Sequence, residues 1–201
     1  MLHFKTMFLV AGLGGLLMLG QSCRQESTAA SSAAQAPAAE DVDPNRPVMR
    51  IPDGAITGDF NGDKQQEFIW LETTNTHDED IGDTSSCYMK CSNTSIAPVK
   101  VESCIGGNPV NLGDLNNDGA DELGLLPDWW TSCWRSYFVY TFRLNKWKLA
   151  VKPINTHCIQ WDQNLPVIEK DSSHAGYAIV HYSELTDTDI VVKSMSVPVE
   201  K

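Results

Sequence analysis

Two acidic nine-residue segments, 55 residues apart, constrain the fold of this chain more than any other feature. Both read D-x-N-x-D-(G/K)-x-x-E, and both run directly into apolar sequence. Oxygen donors at positions 1, 3, 5, 7 and 9 of such a loop can surround one hard cation, and Ca²⁺ prefers six to eight oxygens. The predicted ligands, with position 7 contributing its backbone carbonyl, are Asp59, Asn61, Asp63, Gln65 and Glu67 in the first loop and Asp114, Asn116, Asp118, Ala120 and Glu122 in the second.

The sequence that follows each loop separates three families of calcium loop. An EF-hand requires a glutamate at position 12 and flanking helices, but that position holds Trp70 in the first loop and Leu125 in the second. A dockerin also continues into helices and places its loops closer together. The β-type sequence after each loop, at this spacing, instead resembles FG-GAP or VCBS repeats, the calcium loops of integrin-type β-propellers. The resemblance implies a calcium loop between the first two strands of each four-stranded blade.

The resemblance also implies a third loop. Asp171–Gly176 lies 57 residues after Asp114 and precedes the apolar run Tyr177–Tyr182. Ala175 at its fifth position has no side-chain oxygen, so we interpret this segment as a loop that keeps the turn without the metal. In the first loop Lys64 replaces the glycine of position 6, which adds strain if φ is positive there. The second loop is therefore expected to bind calcium more strongly than the first.

Short β-type runs alternate with turn clusters elsewhere, and no stretch has a sustained helical period. The predicted strands are Glu67–Glu72, Cys87–Cys91, Val99–Ser103, Glu122–Leu126, Trp134–Leu144, Trp147–Pro153, Pro166–Glu169, Tyr177–Tyr182 and Asp189–Val197. Asn145 is suited to a positive φ in a hairpin turn. The predicted fold class is all-β. By resemblance it is a partial or small propeller-like stack of about three four-stranded units, with Val48–Ile51 available as a closing strand; the alternative is a compact β-sandwich or barrel.

The N-terminus resembles a bacterial lipoprotein signal. Its apolar run, Met7–Leu19, has 13 residues, fewer than the roughly 20 that cross a bilayer. Leu19–Cys23 resembles a lipobox, in which Cys23 is lipidated and becomes the first mature residue. We therefore predict a signal peptide over 1–22, the lipidated cysteine and an Ala/Ser/Pro tether over 23–46, and the all-β domain over 47–201. Arg24, in place of an aspartate, implies an outer-membrane anchor in the cell envelope.

The acidity of the chain restricts its partners. The net charge is −11, and removal of residues 1–22 deletes one lysine and leaves −12. Such acidity argues against nucleic acid and against electrostatic binding to anionic lipid. The expected membrane contact is therefore the N-terminal lipid. A further acidic segment, His77–Asp83, is interpreted as a solvated turn rather than a metal site.

Five cysteines follow Cys23, and an exported chain favours disulfide bridges. Cys133 and Cys158 lie at equal distances from the hairpin turn near Asn145, which favours a bridge between them. Cys104 would then join Cys87 or Cys91 and leave one thiol free. The alternative is zinc bound by Cys87, Cys91, Cys104 and a histidine, although the spacing of these cysteines matches no common zinc module.

The sequence offers a binding segment more readily than a catalytic one. It has no G-x-S-x-G, S-x-x-K, H-E-x-x-H or phosphate-binding glycine loop. His157 beside Cys158 is interpreted as an exposed histidine next to a cystine. Trp129, Trp130 and Trp134 can contact a glycan or a protein if they lie in a loop, or pack in the core if they lie in a strand.

Two functions remain open. The favoured one is a noncatalytic, calcium-stiffened binding or scaffold domain, with a protein or glycan ligand, displayed from a lipid anchor. The alternative is a small envelope hydrolase that acts on polysaccharide, for which two facing carboxylates would be required.

Overall fold

The structure, a computed structural model, describes residues 50–79, 82–130, 132–163 and 165–201. The predictions for the signal peptide, Cys23, the tether and the closing strand at Val48–Ile51 fall wholly or partly outside these residues; Arg50 and Ile51 are described and are not in a strand. Strands dominate, which confirms the all-β class. They are β1 Ile56–Gly58, β2 Glu67–Asp78, β3 Gly82–Cys91, β4 Val99–Glu102, β5 Gly106–Asn111, β6 Leu123–Asp128, β7 Trp134–Arg143, β8 Lys146–Leu149, β9 Ile154–His157, β10 Ile168–Lys170, β11 Tyr177–Leu185 and β12 Ile190–Pro198.

The strands form three antiparallel sheets in chain order. The first sheet has the order β1-β2-β3-β4 and the third has the order β10-β11-β12. The middle sheet has the order β5-β6-β7-β8, and β9 pairs with the part of β7 that β8 leaves free. Within the described residues none of the three sheets closes into a barrel. The barrel alternative is therefore wrong for this part of the chain, because each sheet keeps two unjoined edges.

Three short strands were not predicted from the sequence. β1 has three residues, β5 contains two glycines and a proline, and β9 follows Pro153 directly. Glycine and proline have low intrinsic β propensity, and β1 and β9 are too short to show an alternating pattern in the sequence. These segments are strands because each pairs with a neighbouring strand. A five-residue helix, α1 (Cys158–Asp162), follows β9 and begins with His157 as its N-cap. Among the described residues no helix is long and apolar enough to cross a membrane.

One predicted turn has the expected conformation, and another is shorter than predicted. Leu144 and Asn145 form the two-residue turn between β7 and β8, both with positive φ (50° and 58°), so Asn145 adopts the expected conformation. At the two ends of the acidic segment His77–Asp83 the chain is in strands, because β2 extends through Asp78 and β3 begins at Gly82. Cross-strand pairing of these two long strands outweighs the turn propensity of the acidic residues.

The middle sheet is buried on both faces. One face, which includes Leu123 and Leu125, packs on the first sheet in one hydrophobic core. The opposite face, which includes Tyr137 and Val139, packs on the third sheet in a second core. Successive residues of a strand point to opposite faces, so β6 and β7 supply both cores. This arrangement determines the surroundings of the loops described next.

Candidate functional site

Each acidic loop joins the first two strands of its sheet. Asp59–Gln66 connects β1 to β2, and the segment that contains Asp114–Glu122 connects β5 to β6. The apolar residue at the second position of each loop is buried in a core: Phe60 between the first and middle sheets, and Leu115 between the middle and third sheets. These side chains fix the loops to the sheet interfaces.

The two loops have the same backbone conformation. Positions 4 and 6 have positive φ in both loops. The angles are 76° and 68° at Gly62 and Lys64, and 59° and 91° at Asn117 and Gly119. Because only glycine adopts this conformation without strain, each loop contains one well-suited residue and one less suitable residue. In the first loop the strained residue at position 6 is Lys64.

The aspartate at position 1 organises each turn by accepting backbone hydrogen bonds. Asp59 accepts from the N–H groups of Gly62, Asp63 and Lys64 at 2.8–3.1 Å. Asp114 accepts from the N–H groups at positions 5 and 6 of its loop, both at 3.0 Å. The aspartate at position 5 accepts from the N–H at position 7 in both loops. These bonds hold the turn in place, while carboxylate lone pairs remain free for a cation.

The glutamate at position 9 is buried in both loops. Glu67 Oε2 accepts from the N–H of Phe60 at 3.0 Å, and Glu122 Oε2 accepts from the N–H of Leu115 at 2.7 Å. Burial raises the pKa of Glu122 to about 7; the charges of Asp118 and Asp114 add to the rise, and the Leu115 hydrogen bond opposes it. Burial likewise raises the pKa of Glu67. A bound cation would favour the ionised form of both carboxylates.

The loops differ most at position 3. Asn61 is half-exposed and bonds only within its loop, to Asp63. Asn116 is 0% exposed, and its Nδ2 donates to Glu122 Oε1 at 3.0 Å and to the carbonyl of Glu200 at 2.8 Å. The Oδ1 of Asn116 is buried and has no hydrogen-bond partner in the part of the chain that the structure describes. A buried carbonyl oxygen without a partner carries a desolvation penalty of about 1–3 kcal/mol, and a bound cation would remove it.

Two cationic side chains lie at the second loop. Arg143 Nη1 is 3.2 Å from Asp118 Oδ2, and Lys170 Nζ donates to the backbone carbonyl of Asp114. They come from the middle and third sheets, respectively. Both balance part of the negative charge of the loop and therefore oppose cation binding there.

The donor set of the second loop fits a hard cation, with Asn116 Oδ1 as the oxygen that lacks another partner. The carboxylates of this loop do not by themselves form a compact cluster. Among the described residues, the one group of three Asp, Glu, His or Cys side chains close enough together to share a metal ion is Cys133, His157 and Cys158, whose ligand atoms lie within 4.8 Å of one another. Amide and backbone oxygens would have to complete either calcium loop.

The third loop uses its aspartate differently. Asp171–Gly176 joins β10 to β11, and Asp171 is buried. Its Oδ1 accepts from the N–H and the Oγ of Ser173, and its Oδ2 accepts from Ser196 Oγ at 2.6 Å. These hydrogen bonds lower the pKa of Asp171 to about 2. In the third loop, serine hydroxyl groups thus satisfy the carboxylate of Asp171. In the other two loops, the equivalent aspartate lies beside further oxygen donors.

The tryptophan segment is mainly a loop. Trp129 and Trp130 follow β6, and Trp134 begins β7. Trp130 is 64% exposed, whereas the other two are half-buried. Next to them Arg135 binds Asp128 at 2.6 Å and lies 4.4 Å from the ring centre of Trp161. The carboxylate nearest these tryptophans in sequence is therefore already paired with a cation.

A cavity lies elsewhere, beside the third sheet. It measures about 840 Å³ and is bordered by Leu149–Asn155, Tyr182 and Val197. Most of its lining is apolar, and Glu200 is the one carboxylate residue in it. No tryptophan of the segment borders it, so this cavity does not join the two features that the hydrolase hypothesis requires.

The cysteines form two bridges. Cys133 pairs with Cys158, and Cys104 pairs with Cys87, which leaves Cys91 as the free thiol among the described residues. The zinc alternative for Cys87, Cys91 and Cys104 is wrong in this structure because two of the three thiols are bonded to each other. His157 is 9% exposed and packs against Trp134, so the interpretation of an exposed histidine is also wrong. Local sequence could not reveal the aromatic cover that Trp134 provides across the β7–β9 pair.

Compared with family models, curated proteins and solved structures, the chain matches none of them.

Proposed function

We propose that this chain is a lipid-anchored protein of the bacterial envelope whose domain is a noncatalytic binding or scaffold module stiffened by calcium. One observation carries the calcium assignment: the buried Oδ1 of Asn116 has no partner among the described residues, in a loop whose neighbouring donors are Asp114, Asp118 and Glu122. The lipid anchor rests on the Cys23 signal alone.

The arrangement of the sheets supports a propeller-like stack as the finer fold. In each sheet the acidic or Asp171 loop joins the first strand to the second, and the strands then follow in chain order. Neighbouring loops also meet. The Asp121 N–H donates to the carbonyl of Asp59 at 2.7 Å, and a Cβ at Gly176 would contact the carbonyl of Asn116 at 3.6 Å. A repeated unit stacked through its loops has this pattern.

Calcium in the second loop would neutralise its carboxylates and connect β5, β6 and the start of the turn between them. The expected ligands are Asp114, Asn116, Asp118 and Glu122 with the carbonyl of Ala120. The first loop, through Asp59, Asn61, Asp63, Gln65 and Glu67, would bind more weakly. Its Asn61 already accepts the Asp63 N–H, and Lys64 strains its turn. The exposed Trp130 is the proposed contact for a protein or glycan ligand, because an exposed indole offers a large apolar face.

Calcium-dependent thermal unfolding of the compact unit Pro47–Lys201 tests the calcium assignment. At free calcium about 100-fold above the Kd, linkage gives about 2.7 kcal/mol, which raises Tm by roughly 5–10 °C for a domain of this size. Asp118→Ala should remove most of this rise, because it deletes a predicted ligand. Metal content should fall in parallel with the loss of the Tm rise.

Asp171→Ala is the matched control, because it deletes the equivalent carboxylate of a loop without the predicted metal donors. It should lower Tm in both calcium and chelator and leave the difference between them unchanged. Equal losses of the calcium effect in both variants would show that the third loop has been misassigned. An identical Tm with calcium and with chelator, without retained ion, would eliminate the calcium proposal.

A further inference from the structure

The two disulfide bridges lie in different surroundings. Cys87 and Cys104 are fully buried in the core between the first and middle sheets. Cys133 is exposed and Cys158 is half-buried, at the end of the tryptophan segment. Thiol–disulfide exchange requires access of a thiolate to one of the two sulfurs. The exposed residue Cys133 gives the second bridge a side open to such attack, whereas both residues of the first bridge are fully buried.

His157 lies beside the less accessible sulfur of the exposed bridge. Its ring nitrogens are 3.8 Å (Nδ1) and 4.0 Å (Nε2) from Cys158 Sγ. The ring is held in place, since Trp134 packs against it at 4.7 Å and the Ile159 N–H donates to Nδ1. Because Nδ1 accepts this bond, the ring proton lies on Nε2, 4.0 Å from Cys158 Sγ, where the N–H can stabilise a thiolate. A more stable thiolate leaves faster in exchange. Cys158 is therefore the better leaving group of the pair.

The fold keeps the two cysteines together without the bridge. The Cys158 N–H donates to the carbonyl of Cys133 at 2.9 Å. The adjacent residues Trp134 and His157 are partners in the β7–β9 ladder, and Thr156 Oγ1 donates to the carbonyl of Arg135 at 2.9 Å. Opening the bridge would leave these contacts intact, so the thiols would stay in position to close it again.

We propose that Cys133–Cys158 is a thiol–disulfide exchange site that reacts with low-molecular-weight thiols. The thiolate of the small thiol attacks Cys133 Sγ; a bond forms between these sulfurs, and the Cys133–Cys158 bond breaks. The electron pair leaves on Cys158 Sγ, where an N–H of His157 stabilises it. A second small thiol then attacks the sulfur of the first. This step forms the small-molecule disulfide, releases Cys133 as a thiolate, and leaves the protein reduced by two electrons.

The test compares the two bridges within one molecule. The full chain carrying Cys91→Ala, which removes the free thiol, is treated with 2-mercaptoethanol under native conditions. Samples are quenched with an alkylating agent at successive times, and peptide mass spectrometry quantifies each cysteine. Reduction of Cys133–Cys158 should be at least about 10-fold faster than reduction of Cys87–Cys104. At early times the mercaptoethanol adduct should be on Cys133 and the alkyl group on Cys158.

His157→Gln tests the role of the imidazole with the Cys87–Cys104 rate as internal control. It should slow reduction of the exposed bridge several-fold and leave the buried bridge unchanged, because glutamine lacks the ring that Trp134 packs against and that holds an N–H beside Cys158 Sγ. Equal rates for the two bridges in the His157 protein would overturn the proposal, as would an early adduct on Cys158. These two measurements need no variant at His157 and decide the matter even if that variant fails to fold.

Discussion

The first and second acidic loops share a motif and a backbone conformation, yet they differ in burial. At position 3, Asn116 is enclosed by the carbonyl of Glu200 and the carboxylate of Glu122, whereas Asn61 bonds only to Asp63. The reason is the position of each loop in the stack. The second loop lies where the third sheet and the C-terminal segment cover it, and no equivalent segment donates to or accepts from Asn61 among the described residues. The motif thus specifies the turn, and the segments packed around the turn determine whether its oxygen atoms are buried without a hydrogen-bond partner.

Truncation at position 3 gives the largest expected difference between the loops. In chelator, Asn116→Ala should lower the free energy of unfolding by about 2 kcal/mol, because it leaves the Glu200 carbonyl and a Glu122 oxygen without their donor. Asn61→Ala is the matched control and should change it by less than about 0.5 kcal/mol. Urea denaturation measures both. Similar losses for the two variants would mean that burial does not distinguish the loops.

Position 6 should give changes of opposite sign. Lys64→Gly should raise the free energy of unfolding by about 1 kcal/mol, because it relieves a positive φ of 68°. Gly119→Ala should lower it by about 1 kcal/mol for the converse reason, since a Cβ at Gly119 would meet no atom within 4 Å and only the backbone is affected. Urea denaturation in chelator is again the measurement. A loss of stability in Lys64→Gly would contradict the assignment of strain.

The third loop extends the comparison to pH. The pKa of Asp171 is lowered to about 2 from the usual 3.8, so its ionised form stabilises the fold above about pH 4, and this contribution is lost as the pH falls toward 2. Asp171→Asn should therefore lower Tm at pH 5 and have little effect near pH 2. Thermal unfolding across this range measures the difference. A constant gap between the two proteins would show that the charge of Asp171 is not responsible.

Arg143 should have the smallest effect. Its contact with Asp118 is partly solvent-exposed, and such pairs contribute about 0.2–1 kcal/mol. Arg143→Gln should therefore raise the calcium affinity of the second loop by about two- to five-fold, because it removes a competing cation. Calorimetric titration measures the change. Lys146→Gln, which removes the charge of the lysine paired with Arg143 across the hairpin, is the control and should leave the affinity nearly unchanged.

The long strands can be predicted from the sequence because their apolar and β-branched runs follow turn residues. β5 cannot be predicted in this way, because Gly106, Gly107 and Pro109 favour other conformations. The segment is a strand through its pairing with β6. The partner of Cys104 was also undecided. Cys87 and Cys91 lie on the same face of β3, about 13 Å apart along the strand. The pairing of Cys87 with Val101 in β4 brings Cys104 to Cys87.

The sequence by itself determined the all-β class and the two turns rich in oxygen donors, because these follow from the order of side chains along the chain. Tertiary structure alone decided which turn is enclosed, which carboxylate uses hydroxyl partners and which disulfide has an accessible sulfur. Those properties depend on segments far apart in sequence, such as Asn116 and Glu200 or Asp171 and Ser196. Burial and desolvation arise only when such segments pack together.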